Sequence, residues 1–380
     1  MRLVVVGSGV VGSSCAYAAS SLGATVVLVD AALPGQATAA GAGIVCPWWS
    51  TPADDPVWYD FACASARQYP GLVEELAGLG ETDVGYRRVG ALVLVDSAQH
   101  RSDVRRLLLA RRAGAPEVGA VEALTGAEAR ALFPPLRSDQ AAVLIGGGSR
   151  VDGRRLAGAL ARAASRRGAV IKTGRAELVF RSGRAAGVAL DGEIIEADAV
   201  VAATGAWTTA FLRPARVQVA VTPQRGQIAH ISVAPADTGR WPVVLPGTGH
   251  YLLAFDGSRV VAGATRESGA GFDYRVTPAG LSEILREALA VAPGLAGGAY
   301  LETRVGFRPA GPDERPLLGP VPDVEGLVVA TGLGHSGLTM GPRAGTLAAR
   351  IALGEPPGID VAPLNPLRPA TNGHAEAGFP

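Results

Sequence analysis

Lysine is nearly missing from this chain. Lys172 is the single lysine among 35 basic residues, so arginine carries almost all the positive charge. A mechanism through a lysine Schiff base would need that one residue to be both available and well placed. Cysteine is scarce too: Cys15, Cys46 and Cys63 are scattered without CxxC spacing. An odd count with no framework excludes a disulfide scaffold, argues against a structural zinc site and suits a reducing compartment. No run reaches the roughly 18 apolar residues of a transmembrane helix. A surplus of one charge is absent as well. The net charge is +1, whereas a nucleic-acid protein would show a basic excess or stripe. Basic residues do gather in 101–112 and 150–167, but among leucines and alanines, as on solvated helix faces.

What is present is a globular composition, 48% apolar and 18% charged, in 380 residues, a length that suggests two domains. The N-terminus resembles a signal peptide in outline: Arg2, an apolar stretch, then small residues. Glycines at three fixed places have no use in a signal peptide, so the expected location is cytoplasmic.

Those glycines carry the first function signal. Leu3–Val6 reads as a strand buried on both faces, and Gly7-Ser8-Gly9-Val10-Val11-Gly12 follows it. A helix of small residues then runs to about Leu22, and Thr25–Val29 is a second buried strand ending at Asp30. Gly7 permits the tight turn, Gly9 lets the backbone approach a pyrophosphate, and Gly12 lets helix and strand pack closely. The helix N-terminus offers free N–H groups and partial positive charge to phosphates. With 51 glycines, GxGxxG alone would be weak. Its place between strand and helix, answered by Asp30, is what the dinucleotide fingerprint requires. A carboxylate there accepts ribose hydroxyls and repels a 2′-phosphate, favouring FAD or NAD over NADP.

Two more buried strands end in glycine: Ala197–Thr204 before Gly205, and Leu327–Thr331 before Gly332. Three such junctions, far apart in sequence, fit a cofactor long enough to touch them all. Helices are expected near Trp58–Leu79, Ser102–Ala113, Leu156–Arg167 and Leu281–Val291. Strands are expected at Arg88–Val95 and Ala169–Thr173, with a hairpin over Leu178–Leu190 turning at Ser182-Gly183. Residues 217–264 are strand-rich. Gly332 through Gly345 reads as a glycine-dense loop entering a helix that ends near Leu353. Residues 371–380 are expected to lack fixed structure.

Four pieces together resemble the D-amino-acid oxidase (DAO) family of flavoproteins, which includes glycine oxidase, sarcosine oxidase and bacterial D-amino-acid dehydrogenases. They are the N-terminal fingerprint; Thr38-Ala39-Ala40-Gly41-Ala42-Gly43-Ile44; Gly306-Phe307-Arg308-Pro309 with Pro316 and Gly319; and Gly332-Leu333-Gly334-His335-Ser336-Gly337-Leu338-Thr339. The resemblance spans residues 2 to about 369. It implies an α/β fold: a Rossmann-like FAD-binding domain (1–50, 140–215, 300–370) with an inserted β-rich α+β substrate domain (51–139, 216–299).

It also implies site roles. Gly7, Gly9, Val10, Val11, Gly12 and Asp30 would hold the adenosine and pyrophosphate part, with Thr204 and Gly205 at the second junction. Thr38, Ala39, Ala40, Gly41, Gly43 and Ile44 would wrap the flavin through backbone N–H groups, and Ala176 would hold the adenine. Gly332–Thr339 would set N–H groups and a helix N-terminus against the flavin's pyrimidine end, stabilising its anionic reduced form. Arg308 resembles the family's substrate-carboxylate arginine, and a guanidinium fork suits that task. Tyr251 resembles a tyrosine that reaches the same carboxylate. Trp48 and Trp49 either line the pocket or pack beneath it. His335 sits inside the flavin loop.

Departures inform as well. Members with covalent flavin carry a cysteine just ahead of the Arg308 region; residues 301–309 have none, so FAD is expected to bind non-covalently. Lys172 lies in the wrong segment for the lysine that sarcosine-oxidase-like members use with oxygen.

The implied reaction is oxidation of an amino acid at Cα–N, by hydride transfer from Cα to flavin N5, giving an imino acid that hydrolyses to a 2-oxo acid. A D-amino acid or glycine is the expected substrate. A secondary amine such as sarcosine or proline, or a 2-hydroxy acid, is the near alternative. An NAD-dependent dehydrogenase has no need of the C-terminal glycine loop. A flavin-binding subunit without turnover is the alternative of another class. The C-terminal loop resembles the dehydrogenase branch, while Tyr251 and Gly263-Ala264-Thr265 resemble glycine oxidase. Both O2 and another electron acceptor therefore stay open, as does homo-oligomer formation.

Overall fold

The computed structural model describes residues 1–50 and 54–369. The tail 371–380 lies outside the described residues.

A six-stranded sheet runs in the order Leu317–Pro320, Leu327–Thr331, Ala199–Ala202, Arg2–Val6, Thr25–Asp30, Val170–Thr173. All neighbours are parallel except the antiparallel edge strand Leu317–Pro320. The strand at its centre shows why continuous apolar runs form it. Leu3 and Val5 enter one core with the helices; Val4 and Val6 enter a second core on the opposite face. Both faces of a parallel sheet are covered, so both sets of side chains must be apolar. The helical face carries Val10–Ser21, Gly153–Arg166 and Gly337–Ala352. The other is covered by an antiparallel meander, Glu177–Arg181, Arg184–Leu190 and Glu193–Glu196. Its first turn sits at Ser182 and Gly183, both at positive φ.

The glycine-dense stretch after Thr331 differs from its expected form. Only Gly332–Ser336 is loop or tight turn; the helix begins at Gly337. Gly341 and Gly345 are helical. A Cβ on Gly345 would lie 2.2 Å from the Val11 carbonyl oxygen, and one on Gly341 would lie 2.5 Å from Val10. These glycines let two helices cross closely and are not loop signals.

An eight-stranded sheet runs Ala299–Ala310, Thr222–Ser232, Arg259–Gly263, Tyr251–Phe255, Val243–Leu245, Ala91–Leu94, Ala142–Ile145, Val121–Leu124. Its neighbours are antiparallel apart from the Val243–Leu245 and Ala91–Leu94 pair. Helix Pro278–Val291 covers one face. The single strand expected over Arg88–Val95 is two, Arg87–Arg88 and Ala91–Leu94, broken where Gly90 takes φ +82°.

Arg150 is not on a solvated helix face. It is 1% exposed, 3.1 Å from the Asp256 carboxylate and 3.1 Å from the Gly239 carbonyl oxygen. Among the described residues no helix is long and apolar enough to cross a membrane, and no group of three or more His, Cys, Asp or Glu could hold a metal ion.

Candidate active site

Parallel strands put their C-terminal ends on one edge, and here three of them end in the predicted glycines. Arg2–Val6, Ala199–Ala202 and Leu327–Thr331 are adjacent, so Gly7, Gly205 and Gly332 meet at one rim. The Thr331 hydroxyl donates to the Gly205 carbonyl across two of these junctions at 3.0 Å. A ligand crevice outside the carboxyl ends of the strands is the rule for such sheets.

A cavity of ≈ 830 Å³ starts there and reaches the eight-stranded sheet. It lies near the top of the range of about 300–1,000 Å³ for ligand pockets. One end is formed by Asp30 and Ala176, the other by Tyr251 and Arg308. Between them Gly7, Gly9, Val10, Val11, Thr38, Ala40, Gly41, Gly43, Ile44, Thr204, Gly205 and Leu333 through Thr339 all reach the wall. Gly12, Ala39 and Gly332 do not. Gly12 works through packing: a Cβ there would lie 1.7 Å from the Gly7 carbonyl oxygen.

The Asp30 end is backbone held in place by a few side chains. Gly7 has φ +101°, and a Cβ on it would lie 2.3 Å from the Ala203 carbonyl oxygen. The Ser8 N–H donates to the Asp30 carboxylate at 2.5 Å, and the Gln36 amide donates to the same group at 2.7 Å. Gly9 supplies no capping side chain to helix Val10–Ser21; the Thr38 hydroxyl instead accepts the Val10 N–H at 3.0 Å. The start of helix Gly337–Ala352 is likewise uncapped by its own residue, leaving N–H groups for an anionic ligand. A glycine-lined cradle, two helix N-termini on one cavity and a carboxylate, Asp30, at its far end fit FAD.

The other end is built from side chains. Tyr251 begins its strand opposite Gly263, and Arg308 lies opposite Gln224 on the outermost strand of the sheet. The Arg308 Nη1 donates to the Thr265 carbonyl at 3.0 Å, and Arg308 and Tyr251 interact directly. Burial pushes the Tyr251 phenol above its ordinary value, against the charges of Arg308 and Arg266. Burial also lowers the Arg308 guanidinium, against the pull of Tyr251. Two glycines make room for the pair. A Cβ on Gly226 would sit 2.4 Å from Arg308 Nη1, and one on Gly263 would sit 2.7 Å from the Tyr251 hydroxyl.

The tryptophans divide. Trp49 lines the cavity, whereas Trp48 is buried away from it with its carbonyl accepting from Arg111 at 2.6 Å. Lys172 is exposed on the Val170–Thr173 strand, away from the cavity wall. Among the cavity residues that escaped the sequence reading of the site, three carry polar or aromatic groups of note. Trp207 stacks on Phe272 with ring centroids 5.0 Å apart, His250 pairs with Glu283 at 3.2 Å, and Arg266 stands on the wall beside Tyr251. No periodicity marks them, since each sits in a turn or loop. Cys46 also reaches the wall, and burial pushes its thiol up to about 12.

The family model for DAO, FAD dependent oxidoreductase, matches residues 2–351. The chain is 45% identical to the uncharacterized oxidoreductase YurR of Bacillus subtilis (strain 168), covering 96% of this chain and 98% of that one. It is 32% identical to the glycine oxidase of Pseudomonas aeruginosa, covering 96% and 98%. The crystal structure of iminodiacetate oxidase from Chelativorans sp. BNC1 superposes with a TM-score of 0.93 at 48% identity, covering 96% of this chain and 99% of that one. The chain belongs to the DAO family of FAD-dependent oxidoreductases.

Proposed function

We propose that this protein oxidises the Cα–N bond of a small amino acid, glycine or a D-amino acid, giving an imino acid that hydrolyses to a 2-oxo acid. The observation that carries the reading is the Arg308 and Tyr251 pair at one end of a cavity whose other end fits a dinucleotide. FAD, when bound, supplies the acceptor for the electron pair that leaves Cα. The chain's residues do the positioning. Arg308 offers the substrate carboxylate two parallel N–H donors, and Tyr251 a third hydrogen bond. Well-oriented reactants gain up to roughly 7–11 kcal/mol from positioning of this kind. Trp49 and Trp207 present apolar surface that excludes water.

We assign the cofactor to the six-stranded sheet and the substrate carboxylate to the eight-stranded one. FAD binds non-covalently in this reading, because Cys46, the one cavity cysteine among the described residues, keeps a protonated thiol. The three buried free thiols suit a reducing, cytoplasmic setting.

Arg266 favours a second reading, oxidation of a secondary amine that carries two carboxylates. It stands on the cavity wall, and its charge acts on both Tyr251 and Arg308. One solved relative, at 48% identity, is an iminodiacetate oxidase.

The test is anaerobic bleaching of the flavin by a panel: glycine, D- and L-amino acids, N-methyl amino acids, iminodiacetate and 2-hydroxy acids. Bleaching by amines supports the reading, and the rank of glycine against iminodiacetate separates its two forms. Bleaching by hydroxy acids alone, or by nothing, overturns it. Admitting O2 afterwards and measuring peroxide tells oxidase from dehydrogenase.

A further inference from the structure

An amino acid reaches the cavity as an ammonium ion, and hydride leaves Cα only when the nitrogen holds a lone pair. Arg308 has no acceptor for the surplus proton, and Tyr251 is a protonated phenol. His335 on the wall, paired with Glu314 behind it, has the required chemistry.

His335 lines the cavity with a side chain that is 26% exposed. Its Nδ1 lies 3.3 Å from the Glu314 carboxylate. The two residues come from separate loops, and the Glu314 loop is anchored on both sides of it. The Asp313 carboxylate accepts from Arg368 Nε at 2.9 Å, and Arg315 Nη2 donates to Asp55 at 3.0 Å. Gly334 holds φ +49° and approaches so closely that a Cβ would lie 3.3 Å from Glu314 Oε2. Burial alone would raise the Glu314 carboxyl; His335 and Arg266 outweigh it and hold it below its ordinary value. Besides His335, the charged groups acting on Glu314 are Arg266 and Asp313, and Arg266 also acts on Tyr251 and Arg308 at the other end of the cavity.

We propose that His335, oriented by Glu314, is the base that takes the proton from the substrate ammonium. The assignment rests on the amine-oxidation reading above. With Nδ1 committed to Glu314, Nε2 is the nitrogen left to accept. The N–H bond of the ammonium breaks and its proton passes to Nε2. The freed lone pair can then form the C=N bond as the Cα hydrogen leaves with its two electrons, which FAD would accept when bound. Glu314 stays ionised and stabilises the imidazolium, which returns its proton to solvent. Glu314 is thus a positioning residue.

The test uses holoprotein carrying His335→Asn, His335→Gln or Glu314→Gln. Anaerobic flavin reduction gives kcat/KM from about pH 6 to 10, and titration with thiodiacetate, an inert thioether dicarboxylate, gives a Kd. The His335 variants are expected to lose roughly 10²-fold at pH 7. They should converge on the unaltered protein at high pH, where the amine arrives neutral, with thiodiacetate Kd and flavin absorbance unchanged. Glu314→Gln should lower kcat/KM at pH 7 by less than the His335 variants do, because the base is kept and only its orientation is lost. Unchanged rates at pH 7 in both His335 variants overturn the proposal. So does one constant factor of loss at every pH, which marks a structural role, and so does loss of flavin from both variants. Failure of every amine to bleach the unaltered protein overturns the amine reading itself, and the assignment with it.

Discussion

At the Asp30 end, the cavity wall is backbone: glycine turns, helix N-termini and a carboxylate tied to nearby N–H groups. At the Tyr251 end it is side chains projecting from an antiparallel sheet. Glycine serves both ends in opposite ways. Gly7 and Gly12 let main chain approach main chain, so a Cβ there would strike carbonyl oxygens that cannot move aside. Gly226 and Gly263 clear space for Arg308 and Tyr251, so a Cβ there would strike the far ends of side chains. The Asp30 end is therefore rigid and intolerant. The Tyr251 end is adjustable, which suits a family whose members share a cofactor and differ in substrate.

That contrast can be broken by four substitutions. Gly12→Val should have the largest effect. Its side chain meets a backbone oxygen, and overpacking that cannot relax costs upward of about 1–3 kcal/mol. The protein is expected to purify colourless or insoluble, read as the absence of flavin absorbance; a yellow, stable variant would break the comparison. Arg308→Ala should keep its flavin and lose roughly 10³-fold in kcat/KM for carboxylate substrates, since truncating a charged partner costs about 2–5 kcal/mol. Gly226→Ala should retain flavin and thermal stability while losing about 10- to 100-fold in kcat/KM, because misplacement by an ångström has that order of effect. Unfolding would place Gly226 with the rigid end. Arg266→Met should act least, lowering kcat/KM about 5- to 10-fold for a dicarboxylate amine and leaving glycine within about twofold. Equal losses on both would remove the second-carboxylate role.

Legibility in the sequence follows the same divide. The six-stranded sheet was readable because each central strand is a short apolar run ended by glycine or aspartate. The strand bearing Arg308 was not readable as a strand. Its first third, Ala299 to Glu302, is exposed and mixes Tyr300 and Leu301 with charge, so no period-2 pattern marks it. The hydrogen bonds that make it a strand come from Thr222–Ser232, some 80 residues away. Gly341 and Gly345 were misleading for a related reason. A glycine kept for close helix packing looks like a loop residue until the opposing helix is known. Trp48 and Trp49, adjacent in sequence, went to different fates because a tight turn at Pro47–Trp49 points them apart.

By itself the sequence determined the βαβ unit, Asp30, and the preference for a dinucleotide, because fingerprint, strand and helix are local and their geometry follows from spacing. Its likeness to a flavoprotein family singled out Arg308 and Tyr251. Only the tertiary structure brought Gly7, Gly205 and Gly332 to one rim and set Arg308 above Gly226. It also joined His335 to Glu314 across two loops. Those contacts are non-local, and the close approaches behind them depend on which backbone lies opposite, which no spacing along the chain records.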